Sequence, residues 1–360
     1  MLVSRERGAM TELRQAWGVP ARPRPIVIIG AGGIVRTAHL PVYQRLRFPV
    51  AGLYDIRPAV AQETARRFAV PKVFTSLAAA AASPDAIFDV AVPGDQIAGV
   101  LRELPRGSAV LIQKPMGENL AGAKAIVQIC QELGLVAAMN FQLRFSPNVL
   151  MLRDLVAQGG LGDIVDIEIR LVVKQPWHLW TFLEGAPRLE ILYHSIHYLD
   201  MIRALVGEPR GVYCRAVAHP ATPEFRDTRS TIILDYGDAI RCSLLLNHVH
   251  QQDPTQCSSF LKVEGTRGAA LVTMGVNIDY PNGPRDTLQV ALDGGPWTPV
   301  GLRGSWFLEA FEGPMSNLQR VVAGEDESLV SPVEDAIKTM ALVEACYQSS
   351  AAGGTPIPGV

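Results

Sequence analysis

The chain is short of net charge, cysteine and long apolar runs, and each shortage closes off a class of function. Its 33 Lys+Arg against 35 Asp+Glu leave a formal charge of −2. There is thus no electrostatic reason to expect nucleic acid or an anionic membrane as partner. Basic residues form no stripe with interleaved aromatics, which weighs further against nucleic acid. No uncharged apolar run approaches the ~20 residues needed to span a bilayer. The stretch from Met1 to Pro25 carries several arginines but no apolar core, so it does not read as a signal peptide. It reads as a flexible arm over residues 1–24, or partly as an over-long start with Met10 as the initiator. The five cysteines, Cys130, Cys214, Cys242, Cys257 and Cys346, are scattered and lack C-x-x-C spacing, which suits reduced thiols in a cytoplasmic protein. G-x-S-x-G is missing, and no cysteine stands beside the histidines discussed below, so the common nucleophile motifs are excluded.

What is present is a globular chain of 360 residues, 48% hydrophobic and 19% charged, long enough for two domains. A strand-like run, Ile26-Val27-Ile28-Ile29, passes straight into Gly30-Ala31-Gly32-Gly33-Ile34. Gly30 permits a tight turn, and Gly32 has no β-carbon to keep a pyrophosphate from the backbone. A helix starting about Gly33 offers that phosphate free N–H groups and the positive end of its dipole. Asp55, at the end of the next strand-like run, can accept hydrogen bonds from both hydroxyls of the adenosine ribose and favours NAD, while Arg57 keeps NADP possible. Val35 stands where the third glycine of this fingerprint belongs.

From Ile26 to about Asn140, short β-branched runs alternate with Ala-rich amphipathic stretches. That rhythm implies β-α-β crossovers and a doubly wound parallel sheet, an α/β domain over residues 25–146. After Asn148 the runs lengthen and alternate residue by residue, as in a largely antiparallel sheet with one covered face. This second α/β domain, residues 147–360, should carry the substrate site. Its open sheet should make a homodimer or homotetramer interface. Asn277–Leu302, rich in Gly, Pro and Asp, reads as loops around short strands.

Ligands of such sheets sit at the carboxyl ends of the strands, where Gly30, Asp55, Pro93, Lys114 and Asn140 all fall. Lys114, closing the run Ala109-Val110-Leu111-Ile112-Gln113, is poorly placed for packing and well placed to meet a substrate oxygen beside the cofactor. A second cluster lies in Arg188–Asp200. At ~100° per residue Glu190, Tyr193, His194 and His197 share one helix face, while Ile191, Leu192, Ile196 and Leu199 fill the rest. Two imidazoles and a phenol on such a stripe suit a cavity. Lys114 would lower the Tyr193 pKa towards neutrality, which makes it a competent acid/base. His197, unperturbed near ~6.5, is the alternative, with Glu190 or His194 orienting whichever acts. Trp177 and His178 sit on a loop where a ring could stack on a sugar face and an imidazole bind a hydroxyl, or which two packed tryptophans could simply pin; the residues favour neither. Arg188 reads as a cap for Glu190. His248 and His250 share a strand face, but no acid or thiol accompanies them at ligand spacing, so no metal is expected. His39 reads as packing.

Several of these elements together resemble the glucose–fructose oxidoreductase / inositol dehydrogenase / MocA family. They are Gly30-x-Gly32 with His39-Leu40-Pro41, Lys114-Pro115 with Glu118-Asn119-Leu120, Asn140, and Arg144-Phe145-Ser146-Pro147. The resemblance, over about Ile26 to Tyr347, implies a Rossmann domain, a second domain with an open sheet, NAD(P), and redox chemistry on sugars, cyclitols or related polyols. Within it Lys114 corresponds to the catalytic lysine and His197 to the histidine of the downstream helix, and Asn140 gains as a nicotinamide or substrate contact. Gln113 departs from the usual glutamate, and Tyr193 stands where an aspartate is expected. The resemblance also implies alternatives: an NAD-retaining glycosidase or lyase acting through transient oxidation, or a sugar-sensing regulator without catalysis.

Overall fold

Ile26–Ile29, buried along its whole length, forms β1 and delivers the chain to the glycine loop. The structure, a computed structural model, describes residues 12–358. The first domain continues through α1 (Leu40–Arg45), β2 (Val50–Tyr54), α2 (Pro58–Phe68), α3 (Leu77–Ala81), β3 (Ile87–Val90), α4 (Ile97–Arg102), β4 (Ala109–Ile112), α5 (Leu120–Leu133) and β5 (Val136–Met139). The five strands are parallel in the order β2-β1-β3-β4-β5. β1, β3 and β4 are buried on both faces, which is why their sequences run apolar without alternation, save for buried Asp89 in β3. Val27, Phe88, Val110 and Ile129 pack on one face; Ile26, Ile28, Leu111 and Tyr43 pack on the other. The chain leaves β1 towards β2 on one side and takes up β3 on the other, so a crevice opens at the carboxyl ends above that switch.

The second domain begins with α6 (Pro147–Ala157) and β6 (Ile164–Val172), then α7 (Ile196–Val206), β7 (Gly211–Val217), β8 (Arg229–Asp235), β9 (Arg241–Asn247), β10 (Ser258–Gly265), β11 (Gly268–Thr273), β12 (Thr287–Leu292) and β13 (Thr298–Val300). They form one eight-stranded sheet, β13-β12-β11-β10-β6-β9-β8-β7, antiparallel except where β6 lies parallel to β9. Burial alternates along β8 and β9, with Ile232, Leu234, Leu244 and Leu246 inward. Tyr213, Ile233 and Leu245 are on the open face, 65%, 45% and 44% exposed. The chain closes with α8 (Trp306–Glu309), α9 (Glu312–Val322) and α10 (Val333–Ala352). Among the described residues no helix is long and apolar enough to cross a membrane.

Residues beyond 146 also return to the first domain: Met315 and Leu318 of α9 complete the apolar layer around Ile26 and Ile28. In addition, Met139 donates to the Ser331 carbonyl at 2.8 Å. The expected flexible arm is docked from residue 12 onward. The Arg14 guanidinium pairs with Asp154, and Trp17 lies edge-on to Phe145 at 5.3 Å and donates to Asp326 at 2.8 Å. The earlier part of the arm, with the alternative start Met10, lies outside the described residues.

Arg144, following β5, ties the segments together. It donates to both oxygens of Asp200 in α7 (2.7 and 2.6 Å), to Asp335 in α10 (2.6 Å) and to the Val330 carbonyl (2.7 Å). Arg144→Met should cost ~3–5 kcal/mol, because the Asp200 carboxylate would remain buried without its main partner. Urea unfolding measures this, and a loss under ~1 kcal/mol would remove Arg144 from that role.

Candidate active site

The glycine loop is built by packing on one side and by empty space on the other. Gly30 has φ +98°, and a β-carbon there would stand 2.2 Å from the Ala91 carbonyl oxygen, so the turn against β3 admits glycine alone. Gly32 and Gly33 have nothing within 4 Å of where a β-carbon would stand. That gap borders the first helical turn at Gly33–Ile34, whose N–H groups have no intrahelical partners. A pyrophosphate fits the gap and the donors. Val35, in the third-glycine position, is buried in the layer above β1, and the helix runs as a π-helical turn over Val35–His39.

Asp55 is 8% exposed and accepts from the N–H of Ala31 at 2.8 Å and from Arg57 through its N–H (2.9 Å) and Nε (3.2 Å). Burial alone would raise its pKa, but these donors outweigh it and hold the carboxyl below its ordinary range. Asp55 is therefore an anion that clamps the glycine loop. Pro93 is exposed at the end of β3 and caps the short turn Gly94–Gln96.

Lys114 leaves β4 into the cleft. Its Nζ donates to the backbone carbonyl of Tyr193 at 2.7 Å, and burial lowers its pKa to about 8. The Gln113 side chain turns back onto the Lys114 N–H at 2.9 Å. His197 lies in the field of that ammonium. Its Nε2 is 3.4 Å from Gln142 Nε2, and its Nδ1 and Gln142 Oε1 are shut from water without partners. Burial first and Lys114 second push the imidazole well below its ordinary pKa, so it is a neutral base at pH 7. His194 is depressed likewise, by burial, His248, Lys114 and His197 in turn, and packs edge-on to Trp177 at 5.1 Å. Its Nε2 is 3.4 Å from Gln175 Nε2.

Several sequence-based roles are corrected by this geometry. The Tyr193 phenol does not face Lys114; it donates to Glu118 at 3.1 Å, and burial followed by Glu118 raises its pKa instead of lowering it. Glu190 is 0% exposed and accepts from Ser195, Ser230 and His248, so it orients neither Tyr193 nor His197. The stripe splits because Ile191–Ser195 is a π-helical turn, whose i→i+5 bonding breaks the α-helical spacing on which the shared face depends. Asn140 is 2% exposed and bound through Nδ2 to His39 Nε2 at 3.1 Å, with no hydrogen bond to Lys114 or His197; its Oδ1 is buried and unpartnered. His39 passes that link to buried Asp89 at 2.8 Å, so it is a polar bridge and not plain packing. Trp177, 8% exposed, pins its loop in a small cluster with Leu183, Leu189, Phe225 and Val249, and His178 is exposed to solvent. Arg188 grips Glu344, not Glu190. His248 is held on Glu190, and no group of three metal-ligating side chains occurs among the described residues. Glu118, Gln142 and Gln175 are the contacts that sequence reasoning missed. The two glutamines are neutral and lie on irregular segments, so they give no signal; Glu118 stood in the motif without a role.

The model of an oxidoreductase family with an NAD-binding Rossmann fold matches residues 24–141, and that of a GFO/IDH/MocA C-terminal domain matches residues 149–271. The trans-1,2-dihydrobenzene-1,2-diol dehydrogenase of Macaca fascicularis is 33% identical over 254 residues, covering 68% of this chain and 72% of that one. Its Bos taurus counterpart is 31% identical over 219 residues, 58% of this chain and 62% of that one. The D-glucoside 3-dehydrogenase of Escherichia coli K12 is 27% identical over 196 residues, covering 52% and 55%. The match thus spans under two thirds of the bovine and bacterial relatives. Among solved structures, an oxidoreductase from Agrobacterium radiobacter in complex with NAD+, L-tartaric acid and magnesium superimposes with a TM-score of 0.76 at 18% identity, covering 92% of this chain and 97% of that one. The aldose-aldose oxidoreductase of Caulobacter crescentus gives 0.77 at 18%, covering 92% and 99%. At such identity these two bear on the fold alone.

Proposed function

The chain belongs to the GFO/IDH/MocA family of oxidoreductases, and from that premise we propose that it is an NAD-dependent dehydrogenase. It exchanges hydride with a secondary alcohol or ketone carbon of a sugar, cyclitol or related polyol. The observation that carries this reading is the Lys114 ammonium, partly buried at the strand end with no carboxylate partner among the described residues and held only by a carbonyl. A cation kept without an anion stabilises whatever negative charge develops beside it.

Bound NAD supplies the hydride acceptor, and the protein does the rest. The loop at Gly30, Gly32, Gly33 and Ile34 holds the pyrophosphate, and Asp55 holds the adenosine ribose while repelling a 2′-phosphate. Lys114 polarises the reacting oxygen. His197, neutral for the reasons above, takes the hydroxyl proton at Nε2, and the hydroxyl replaces the long Gln142 contact there. Gln142, Gln175 and His194 surround this point with groups suited to further hydroxyls. The relatives' names, a diol dehydrogenase and a glucoside dehydrogenase, agree with an alcohol carbon flanked by another hydroxyl.

The test is NADH formation across aldoses, inositols, glycosides and vicinal diols, with NAD affinity measured alongside. Absence of NAD binding, or of NADH from every class, overturns the reading. Tyr193→Phe separates the two proton acceptors. Its phenol points to Glu118 and its pKa is raised, so kcat should stay within ~3-fold while stability falls by ~1 kcal/mol for the lost hydrogen bond. A loss of ~100-fold or more in kcat would reinstate Tyr193 as the base.

A further inference from the structure

Glu118 is half-buried in the turn between β4 and α5, and no cation pairs with it among the described residues. The side-chain hydrogen bond it does make comes from the Tyr193 phenol, which donates at 3.1 Å to Oε1 and 3.3 Å to Oε2. An ionised carboxyl can accept about four hydrogen bonds, so one shared hydroxyl leaves most of its lone pairs free. The same carboxyl stands against the loop that follows β3. A β-carbon on buried Gly94 would lie 2.8 Å from Glu118 Oε1 and 3.1 Å from the Gly117 carbonyl carbon. Glycine at position 94 thus lets the two loops close on each other with the acid between them. On its other side Tyr193 joins Glu118 to Lys114, the phenol meeting the acid and the backbone carbonyl meeting the ammonium.

Strand order decides what such an acid can meet. The sheet runs β2-β1-β3-β4. Asp55 follows β2, the glycine loop follows β1, Pro93 and Gly94 follow β3, and Lys114 follows β4. A nicotinamide dinucleotide is itself a row: adenosine ribose, pyrophosphate, second ribose, nicotinamide. With the first two over β2 and β1, the second ribose falls over β3, about 5 Å further along, and the nicotinamide over β4. Glu118 is the acceptor with spare lone pairs at that third place. We propose that Glu118 binds the hydroxyls of the nicotinamide ribose, as the counterpart of Asp55 at the adenosine ribose. The inference rests on the cofactor half of the reading above and deepens it, since a ribose held at Gly94 brings its ring to Lys114. Asp95, the next residue of the loop, is exposed and taken up by Gln96 Nε2 at 2.8 Å, which makes it the control.

The experiment measures binding of ADP, ADP-ribose and NAD⁺ by calorimetry, so it does not depend on turnover. ADP ends at the pyrophosphate, whereas ADP-ribose carries the second ribose without the nicotinamide. Glu118→Gln keeps the size of the side chain and removes its charge. It should weaken ADP-ribose and NAD⁺ by ~10-fold or more and leave ADP within ~2-fold, as expected for hydroxyls bound to a charged acceptor. Asp95→Asn should leave every ligand within ~2-fold. Unchanged ADP-ribose affinity in Glu118→Gln overturns the inference, and so does a loss shared by ADP, which would mark damage to the fold or the glycine loop. An equal loss in Asp95→Asn also overturns it, because the field of the loop and not a contact would then be at work. If only sugar binding to the NAD-loaded protein weakens, Glu118 serves the substrate and the inference fails. The expected ligand pattern without NADH formation from any alcohol would instead remove the dehydrogenase and leave this inference standing.

Discussion

Lys114→Met should lower kcat for NADH formation by ~10²–10³ and raise the melting temperature in the same sample. The first effect follows, on the proposed reading, from removing a cation at the point where an alkoxide would develop. The second follows from linkage. Burial lowers the ammonium from 10.5 to about 8. At ~1.36 kcal/mol per pH unit, holding it charged at neutral pH costs the fold up to ~3 kcal/mol, less in proportion to its partial exposure. The sign is that of any group whose folded pKa is depressed: the penalty is present in full below pH 8 and disappears as pH rises towards 10.5. Methionine keeps the length of the side chain and removes the penalty. Wild-type kcat should also fall as pH rises through about 8, and that alkaline limb should vanish in the variant. A variant that keeps the limb, or keeps kcat, would show that another group polarises the oxygen.

His197→Ala should lower kcat by ~10²–10⁴, the usual worth of a positioned base. Because burial and Lys114 hold the imidazole well below its ordinary pKa, the wild-type acid limb should lie well below ~6.5, and the variant should lack it. The two variants also inform on each other. Lys114 is one cause of the depressed His197 pKa, so in Lys114→Met the acid limb should move up towards neutrality. The double variant should be little worse than the poorer single one, since the two groups serve one transfer. An unmoved acid limb, or strict additivity, would indicate that the two side chains do not share a site.

The parallel sheet was legible because its signals are local. β1, β2, α2, β4, α5 and β5 lie where apolar runs bounded by proline, glycine or asparagine put them. β11 and β12 were harder: one begins at a glycine and carries alanines, and the other lies in a Gly/Pro/Asp-rich stretch. Neither has three large aliphatic residues in a row, as β8 has in Ile232, Ile233 and Leu234 and β9 in Leu244, Leu245 and Leu246. The parallel β6–β9 pair and the return of α9 onto the first domain depend on long-range packing that no window of sequence contains. At the candidate site, the placement of Lys114 at a strand end and of Gly30 in a tight turn was readable, because a cation or a glycine contributes little to packing at such places. The error over Glu190 and Tyr193 came from assuming α-helical spacing where the backbone does not keep it.

That backbone feature reaches beyond the site. A π-helical turn holds about one residue more than the α-helical turn it interrupts, so it is the form a single-residue insertion takes in a helix whose two ends cannot move. Both ends are fixed here: Glu190 upstream by Ser230 and His248, and α7 downstream by the Arg144–Asp200 pair. Against a relative with a regular helix in this place, counting residues backwards from His197 runs out of step by one. A deletion within Ile191–Ser195 would turn one anchored end of the helix against the other, so its cost falls on the buried Glu190 cluster and the Arg144–Asp200 pair together.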